Sequence, residues 1–396
     1  MVHPPARLGD RSLFPTLEAR AYLAHAGVSP PSSAVLEAVS SCLAAYARRG
    51  LHAAIEQLEH KAHVRALAAR MLGCDARQVA FVQSTSAGVT AIARSIPFLP
   101  GQRIVSFAGE FPANVTPWQL LAQERQLTVV LLPLAPFARS TEEGLAALAS
   151  ALTQGVRLVA VSAVQFQTGL RMPLREMAAL CHAHGAELFV DAIQGLGVVP
   201  IDVNDTAVDY LTAGGHKFLM GLEGAGLLYV RDSALAQLSL GLAGWTGHED
   251  AFRFLSEGPG QLRYDRPIVR SASFVEQGAQ SVVGIAALSA SLQTLLSLGI
   301  DAIFAHVNGY LDRLEPELVA LGCTSVRAAD LARRSATLSV KLPAGPVLAD
   351  VSRSLLADGI SVSTPDGHLR FAPHFANSFD EVPAVAASVR TALRKA

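Results

Sequence analysis

The sequence has almost no net charge and no long apolar run, and each of these absences argues against a class of partner or location. Its 396 residues carry 32 Lys and Arg against 33 Asp and Glu, which gives a formal net charge of -1. A near-neutral chain gives no support for a nucleic acid or an anionic membrane as partner, so we predict neither. No uninterrupted apolar run is long enough to span a bilayer, and residues 1–20 lack the apolar core of a signal peptide.

Cysteines are also few, and they are scattered. The chain has four, without paired spacing: Cys42, Cys74, Cys181 and Cys323. Such thiols fit the reduced state of a cytosolic protein better than a disulfide framework, so we expect a cytoplasmic location. The twelve histidines show no metal-ligand spacing, and we predict no metal site.

Strand-like and helix-like segments alternate through the first two thirds of the chain. Buried strands are predicted at residues 79–82, 104–107, 129–132, 158–164, 188–192 and 226–230. Helices are predicted at residues 53–71, closed by Gly73, and at residues 174–184. This alternation predicts an α/β fold with a mainly parallel sheet and helices on both faces.

The pattern changes after this region. Residues 241–270 lack periodicity and are predicted to form a long functional loop, followed by a helix over residues 280–298 that ends at Gly299. Short strands are then predicted at residues 337–341, 361–362 and 369–371, with a last helix over residues 380–395. We expect a large domain (residues 16–270), a smaller C-terminal α/β domain (residues 271–396) and a segment 1–15 that packs nearby.

The most informative segment runs from residue 187 to residue 231. A strand delivers Asp191, a second strand-like run ends before Lys217, and a Gly-rich turn follows. This order places a carboxylate and a lysine at the ends of neighbouring strands. A lysine there can form a Schiff base, and a carboxylate can hold a pyridinium nitrogen. Taken alone, Lys217 also fits a surface lysine, and Asp191 a helix N-cap.

The same segment resembles the class V aminotransferase family of fold-type I enzymes that use pyridoxal 5′-phosphate (PLP). The family includes cysteine desulfurases, selenocysteine lyases, isopenicillin N epimerase-like proteins and kynureninases. The matching residues are Asp191, Ala192, Gln194, Gly197, Pro200, Asp202, Asp209, Tyr210, His216, Lys217, Gly221, Gly224 and Gly226. Further matches extend from residue 22 to residue 377. The resemblance implies PLP as cofactor, a small amino-acid substrate and a homodimer.

The resemblance also implies roles for single residues at the cofactor. Lys217 is the catalytic lysine, and burial beside a cation would favour its neutral form. Asp191 holds the pyridinium nitrogen, and Gln194 lies near the pyridine O3′. Thr85 and Ser86 bind the phosphate at a helix N-terminus, which suits an anion, and His216 is a second candidate contact to the phosphate.

Three residues are predicted around the ring and the substrate. Phe111 aligns with the residue that stacks on the ring, where most cysteine desulfurases have histidine. Gln165 is a candidate contact to the substrate or to a PLP oxygen. Arg370 aligns with the arginine that binds the substrate α-carboxylate. Each also has a plain alternative: a core phenylalanine, a loop glutamine and a surface ion pair.

Departures from the family pattern narrow the function. Gly214 replaces a Ser or Thr, and Ala279 follows Gly278 where a Gly-Thr pair is common, so phosphate contacts are missing; Thr246 is a candidate substitute. Residues 357–369 contain no cysteine, whereas persulfide-forming desulfurases carry one shortly before the arginine. We therefore do not expect a sulfur-relay enzyme.

Four functions stay open on these residues. Lyase-type chemistry, with cleavage of a C–S or other β-bond, is the leading hypothesis, and it follows from the resemblance alone. An aminotransferase and an amino-acid epimerase are the alternatives, because the cofactor supports all three reactions. A catalytically silent PLP-fold scaffold is the non-enzyme alternative. The retention of Asp191, Lys217 and Arg370 argues against it.

Overall fold

A computed structural model describes residues 4–396 of the chain. The strands are β1 (Ala21–Tyr22), β2 (Val79–Val82), β3 (Arg103–Ala108), β4 (Thr128–Pro133), β5 (Val156–Ser162), β6 (Glu187–Asp191), β7 (Tyr210–Gly214), β8 (Gly226–Val230), β9 (Thr324–Ser325), β10 (Leu338–Lys341), β11 (Ile360–Ser361) and β12 (Leu369–Phe371).

The helices alternate with these strands over much of the chain. They are α1 (Ser33–Arg49), α2 (Leu51–Leu72), α3 (Thr85–Ser95), α4 (Thr116–Arg125), α5 (Ala135–Arg139), α6 (Thr141–Leu152), α7 (Leu174–Ala183), α8 (Val203–Thr206), α9 (Asp232–Leu235), α10 (Val282–Leu298), α11 (Ile300–Ala320), α12 (Leu348–Ala357) and α13 (Val382–Lys395).

The central sheet has seven strands in the order β2-β8-β7-β6-β5-β3-β4. Strand β8 runs antiparallel to both of its neighbours, and every other neighbouring pair is parallel. The predicted mainly parallel sheet is confirmed. Because the carboxyl ends of parallel strands share one edge, the residues that end β5, β6 and β7 are brought together there.

Side chains that alternate along the central strands enter two separate cores. On β5, Val159 and Val161 belong to the larger core, whereas Leu158 and Ala160 belong to the smaller one. The larger core receives residues of α2, α7 and α10, and the smaller core receives residues of α3 and α4. Since neighbouring side chains on a strand point to opposite faces, the sheet has helices on both faces, as predicted.

The predicted limits of helices and strands agree best with the structure where the sequence pattern is strongest. Strands β2, β8 and β12 have the predicted limits, and α2 ends at Gly73, which has the left-handed φ of 74° typical of a helix C-terminus. Strands β5 and β6 both begin and end earlier than predicted. Residues 241–270 contain short 3-10 turns and no longer helix, which agrees with the predicted loop.

A second, antiparallel sheet lies towards the C-terminus. Its order is β12-β10-β9, and α11 contacts both β10 and α13. Strand β1 pairs in parallel with β11, so the beginning of the chain is joined to this C-terminal region. Helix α10 packs against α1 and α2. The division at residue 270 stays a prediction.

Within residues 4–396, no single helix is long and apolar enough to cross a membrane. Helices α10 and α11 together meet the length and composition test, but they are bent by 78° at their junction.

Candidate active site

Strand ends and the turn after β7 bring Asp191 and Lys217 to one place. Asp191 is the last residue of β6, and Lys217 follows the end of β7, the parallel neighbour of β6. Ser162 ends β5 directly beside Asp191. The charges of Asp191 and Lys217 shift each other's pKa, so the carboxylate and the lysine lie near each other at this edge, as expected.

The Lys217 amine lies in a confined environment. Its Nζ atom is 5.5 Å from the centre of the Phe111 ring. Burial lowers the pKa of Lys217 to about 8; the charge of Asp191 opposes this change and that of Arg370 adds to it. At this pKa roughly a tenth of the amine is neutral at pH 7, far more than for an ordinary lysine, and the neutral form is the one that acts as a nucleophile or a general base.

Asp191 is a buried carboxylate, with 1% of its surface exposed. Its Oδ1 atom accepts a hydrogen bond from the backbone N–H of Ile193 at 3.0 Å. Burial raises the pKa of Asp191 to about 7; the Ile193 N–H lowers it, the charge of Glu110 raises it, and that of Lys217 lowers it. A cation bound beside Asp191 would stabilise its ionised form.

A second buried carboxylate, Glu110, was not predicted as a site residue. It accepts hydrogen bonds from the Ser162 N–H at 2.7 Å, from Gln165 Nε2 at 2.8 Å and from Asn114 Nδ2 at 3.2 Å, and also from the Ser162 hydroxyl. Burial raises the pKa of Glu110, and these donors oppose that change. Because Gln165 donates through its nitrogen, its oxygen Oε1 is left as an acceptor, and this buried oxygen has no partner in residues 4–396.

Phe111 lies at the open side of the lysine. Its side chain is 44% exposed, although it is large and apolar. The ring meets Phe166 edge to face, with the ring centres 5.3 Å apart. An exposed aromatic face next to the amine suits a planar group that stacks on it.

Arg370 is held in a fixed orientation near the same lysine. Its Nε atom donates to the Ser363 hydroxyl at 2.9 Å, and Nη1 donates to the Phe166 carbonyl at 2.6 Å. Burial lowers the pKa of Arg370 to about 10, so the guanidinium still carries its charge near neutral pH. In residues 4–396 no hydrogen bond uses Nη2, which leaves this group for a carboxylate.

The N-terminus of α3 lies beside the end of β7. Ser84 caps the helix by accepting from the Ala87 N–H at 3.1 Å, and Thr85 Oγ1 accepts from the Gly214 N–H at 2.9 Å. The exposed Ser86 lines a pocket of about 650 Å³ together with Ala279. Free amides and hydroxyls at a helix N-terminus suit an anion such as a phosphate.

Three other predicted site residues, His216, Gln194 and Thr246, lie in different surroundings. Half-buried His216 precedes Lys217, and burial and the charge of Lys217 lower the pKa of His216, with Glu223 opposing. Buried Gln194 donates through Nε2 to the Ala26 carbonyl at 3.1 Å. Thr246 lies in the turn Trp245–Gly247, which packs on the turn Ala272–Glu276. Its contact to a phosphate stays a prediction.

Comparison with known proteins decides the family. The chain matches the family described as "Aminotransferase class-V" over residues 21–392. This protein belongs to the class V aminotransferase family. The resemblance inferred from the motif residues is thereby confirmed, and the protein is a PLP-dependent enzyme.

Curated relatives of this class V enzyme carry several names. A cysteine desulfurase of Dickeya dadantii is 34% identical over 58% of this chain and 54% of that protein, so the match spans about half of that relative's length. A cysteine desulfurase of Salmonella dublin is 30% identical over 74% of this chain and 72% of its own. An "uncharacterized aminotransferase" of Bacillus subtilis, YcbU, is 28% identical over 78% and 77%.

Solved structures confirm the fold-type I architecture. The cystine C–S lyase C-DES superposes with a TM-score of 0.86 at 21% identity, over 95% of this chain and 99% of its own. A cysteine desulfurase of Thermococcus onnurineus superposes with a TM-score of 0.82 at 22% identity, over 95% of each chain.

The residues at this edge of the sheet fit PLP. Asp191 would hold the ring nitrogen, the exposed face of Phe111 would receive the ring, and Lys217 would bind the aldehyde carbon. The unpartnered Gln165 Oε1 is a buried acceptor that calls for a donor from a bound group. The N-terminus of α3, with Thr85 and Ser86, would hold the phosphate.

Proposed function

We propose that this class V enzyme is a lyase that cleaves a C–S or other β-bond of an amino acid without a persulfide cysteine. The observation that carries the PLP chemistry is the position of the Lys217 amine, beside the Phe111 ring and close enough to Asp191 and Arg370 for their charges to shift its pKa. The choice of a lyase among the PLP reactions is supported by the names of the cysteine desulfurase relatives. Bound PLP supplies an electron sink that stabilises negative charge at the substrate α-carbon.

In this proposal each side chain has one task. Arg370 binds the substrate α-carboxylate, with its guanidinium plane fixed by Ser363 and the Phe166 carbonyl. Asp191 stabilises the protonated ring nitrogen through its charge. The Lys217 amine would remove the proton from the substrate α-carbon as a general base.

The surroundings of the cysteines support a lyase without a protein persulfide. Burial raises the pKa of all four thiols: Cys42, Cys74, Cys181 and Cys323. For Cys74 and Cys181 the pKa rises to about 12, so their thiolate fraction is very small at neutral pH. A sulfur-accepting cysteine needs the opposite environment. The names of the desulfurase relatives favour a sulfur-containing substrate.

Replacement of the cysteines tests this part of the proposal. We expect the four single Cys→Ala variants to keep the turnover of the unmodified enzyme, because none of these thiols enters the reaction. After incubation with cysteine or cystine, cyanolysis of the protein should release no thiocyanate above the background. One Cys→Ala variant that abolishes turnover while it remains folded, or thiocyanate release from the protein, would contradict a persulfide-free reaction.

The reaction type is tested by product analysis. PLP-loaded protein is mixed with a panel of amino acids that includes cysteine, cystine and alanine, and the visible spectrum and the product masses are followed together. For a lyase we expect a fragment such as pyruvate or a thiol, with the original cofactor spectrum restored after each turnover. Inversion at the α-carbon without a fragment would instead mean an epimerase, and a protein that never binds PLP would mean a silent scaffold.

An aminotransferase is the second candidate, because YcbU is named as one and aligns over 78% of this chain. The same experiment separates the two. An aminotransferase converts its cofactor to the pyridoxamine form, releases one equivalent of keto acid, and stops until a keto-acid acceptor is added. That result would replace the lyase proposal.

The role of Arg370 predicts a selective loss of substrate binding. Arg370→Lys keeps the positive charge but removes the planar fork, so we expect KM for the amino acid to rise about 10- to 100-fold, which corresponds to one charge-assisted hydrogen bond. Steady-state kinetics measure this change, and Arg353→Lys is the control because the Arg353 side chain is 75% exposed. An unchanged KM in Arg370→Lys would exclude Arg370 as the carboxylate ligand.

The lowered pKa of Lys217 predicts how the cofactor-free protein captures PLP. Only the neutral amine attacks an aldehyde, so the rate of capture should rise with pH and level off above about 8. Stopped-flow absorbance from about pH 6 to about pH 9.5 measures this, with Nα-acetyl-lysine as the control, since its single amine has a pKa of about 10.4 and should not level off. A rate that keeps rising in parallel with that of Nα-acetyl-lysine would show an ordinary amine.

A homodimer, a cytoplasmic location and the division into domains at residue 270 remain predictions. The dimer is supported by the family membership and by the loop 241–270. That loop exposes large apolar side chains, among them Trp245 and Leu255. A two-fold partner that covers this loop would remove these side chains from water.

A further inference from the structure

Ser29 and His374, which lie far apart in the sequence, both hydrogen-bond to the backbone of residues 216–218, the turn that carries Lys217. Three consecutive carbonyls of the turn accept long-range hydrogen bonds. The N–H of Ser29 donates to the His216 carbonyl at 2.8 Å, and the Ser29 hydroxyl donates to the Lys217 carbonyl at 2.7 Å. The Nε2 atom of His374 donates to the Phe218 carbonyl at 3.0 Å.

The hydrogen bonds of His374 fix its protonation. Its Nδ1 atom accepts from the Phe375 N–H at 2.8 Å, so the ring proton is on Nε2, where it meets the Phe218 carbonyl. The side chain is fully buried, and burial lowers the pKa of His374 to about 4. A neutral ring with one defined tautomer therefore contacts the turn.

His25 orients the other donor. Its Nδ1 atom lies 2.8 Å from the Ser29 hydroxyl oxygen. Because that hydroxyl gives its proton to the Lys217 carbonyl, it accepts the proton of His25 Nδ1. The rings of His25 and His374 are 5.4 Å apart, so both donors belong to one buried cluster.

The segments that carry this cluster are tied to each other. The His25 N–H donates to the Ala372 carbonyl at 3.2 Å. Asn377 accepts from the His374 N–H through Oδ1 at 2.9 Å and donates through Nδ2 to the Tyr22 carbonyl at 3.2 Å. Cross-links between distant segments make the cluster a rigid support for the turn.

We propose that His374 and the pair His25–Ser29 are positioning residues that set the direction of the Lys217 side chain. They act on the main chain of the turn, whose three carbonyls they hold, and through it on the position of Nζ. A misplacement of about 1 Å in a reacting group can cost about 100-fold in rate. This inference rests on the proposed role of Lys217 as the cofactor-binding lysine and general base.

Two substitutions test the proposal. His374→Phe removes the donor and keeps a ring of similar size, and Ser29→Ala removes the hydroxyl and keeps the backbone N–H. For both we expect kcat to fall about 10- to 100-fold, with KM for the amino acid little changed. PLP should still attach to Lys217, but its induced circular dichroism should weaken, because the ring is held less rigidly. His374→Gln, whose amide nitrogen can replace Nε2, should recover most of both signals.

His184→Phe is the control. The exposed His184 ring also contacts a backbone carbonyl, that of Leu180, through Nδ1 at 3.0 Å, but this carbonyl belongs to α7 and not to the turn or its supporting cluster. We expect kcat and the induced circular dichroism to stay unchanged.

The outcomes separate positioning from general stabilisation. If His374→Phe and Ser29→Ala lower the melting temperature but leave kcat and the induced circular dichroism unchanged, the proposal is overturned. If His374→Phe does not fold, Ser29→Ala decides by the same criteria. Failure of the unmodified protein to attach PLP at Lys217 would refute both the proposed function and this inference.

Discussion

Lys217→Ala should lose the visible absorbance of lysine-bound PLP and nearly all turnover. The variant lacks the amine that attaches the cofactor and the base that takes the α-proton. The loss of the base alone should lower kcat about 10²- to 10⁴-fold. Absorbance after dialysis against PLP measures the attachment, and product formation measures the turnover.

The surroundings of Lys217 make this variant a clean test. Truncation leaves a small void beside Phe111, which is 44% exposed, so the fold should tolerate the change. Lys341→Ala is the control, because Lys341 is an exposed residue of β10. A Lys217→Ala protein that keeps both the absorbance and the turnover would remove Lys217 from the mechanism.

Asp191→Asn should keep PLP attached to Lys217 but lower kcat about 100-fold or more, the usual effect of deleting a preorganised electrostatic contact. The amide is close in size to the carboxylate and lacks its charge, so it cannot stabilise a protonated ring nitrogen. In the cofactor-free protein, burial raises the pKa of Asp191 to about 7. Pairing with a cationic nitrogen lowers that pKa again, which keeps the carboxylate ionised when PLP is bound.

A matched control for Asp191→Asn is Asp202→Asn. Asp202 belongs to the same motif, but its carboxylate caps α8 by accepting from the N–H groups of Asn204 and Asp205. Asparagine is also a good N-cap, so turnover and stability should change little. If kcat of Asp191→Asn stays within a few-fold of the unmodified enzyme, Asp191 is not the partner of the ring nitrogen.

Much of the fold was predictable because its signals are local. Continuous apolar runs predicted β2 and β8 with their limits. The motif glycines also have local causes. Gly197 has a φ of 100°, and a β-carbon there would collide with the Phe218 carbonyl, so the turn after Lys217 requires glycine at this position. Two-residue strands carry little pattern: β1 was not predicted, and β11 was predicted one residue too late.

Glu110 and Ser29, which were not predicted as site residues, contact partners that are distant in the sequence. Glu110 receives its hydrogen bonds from Ser162 and Gln165, which lie 52 and 55 residues away. The Ser29 hydroxyl and the Lys217 carbonyl are 188 residues apart in the chain. Partners at such distances leave no spacing pattern in one sequence, and only the folded chain brings them together. Motif residues such as Asp191 and Lys217 could be predicted because a family resemblance carries their roles.

The position of the bound cofactor shows directly whether Lys217 is the residue that attaches PLP. The chain has four lysines, Lys61, Lys217, Lys341 and Lys395, so the result is easily assigned. The PLP-loaded protein is reduced with borohydride, digested and analysed by peptide mass spectrometry. We expect a pyridoxyl group on Lys217, in one equivalent per chain, and none at residue 217 of Lys217→Ala. A pyridoxyl group on another lysine, or on none, would contradict this expectation.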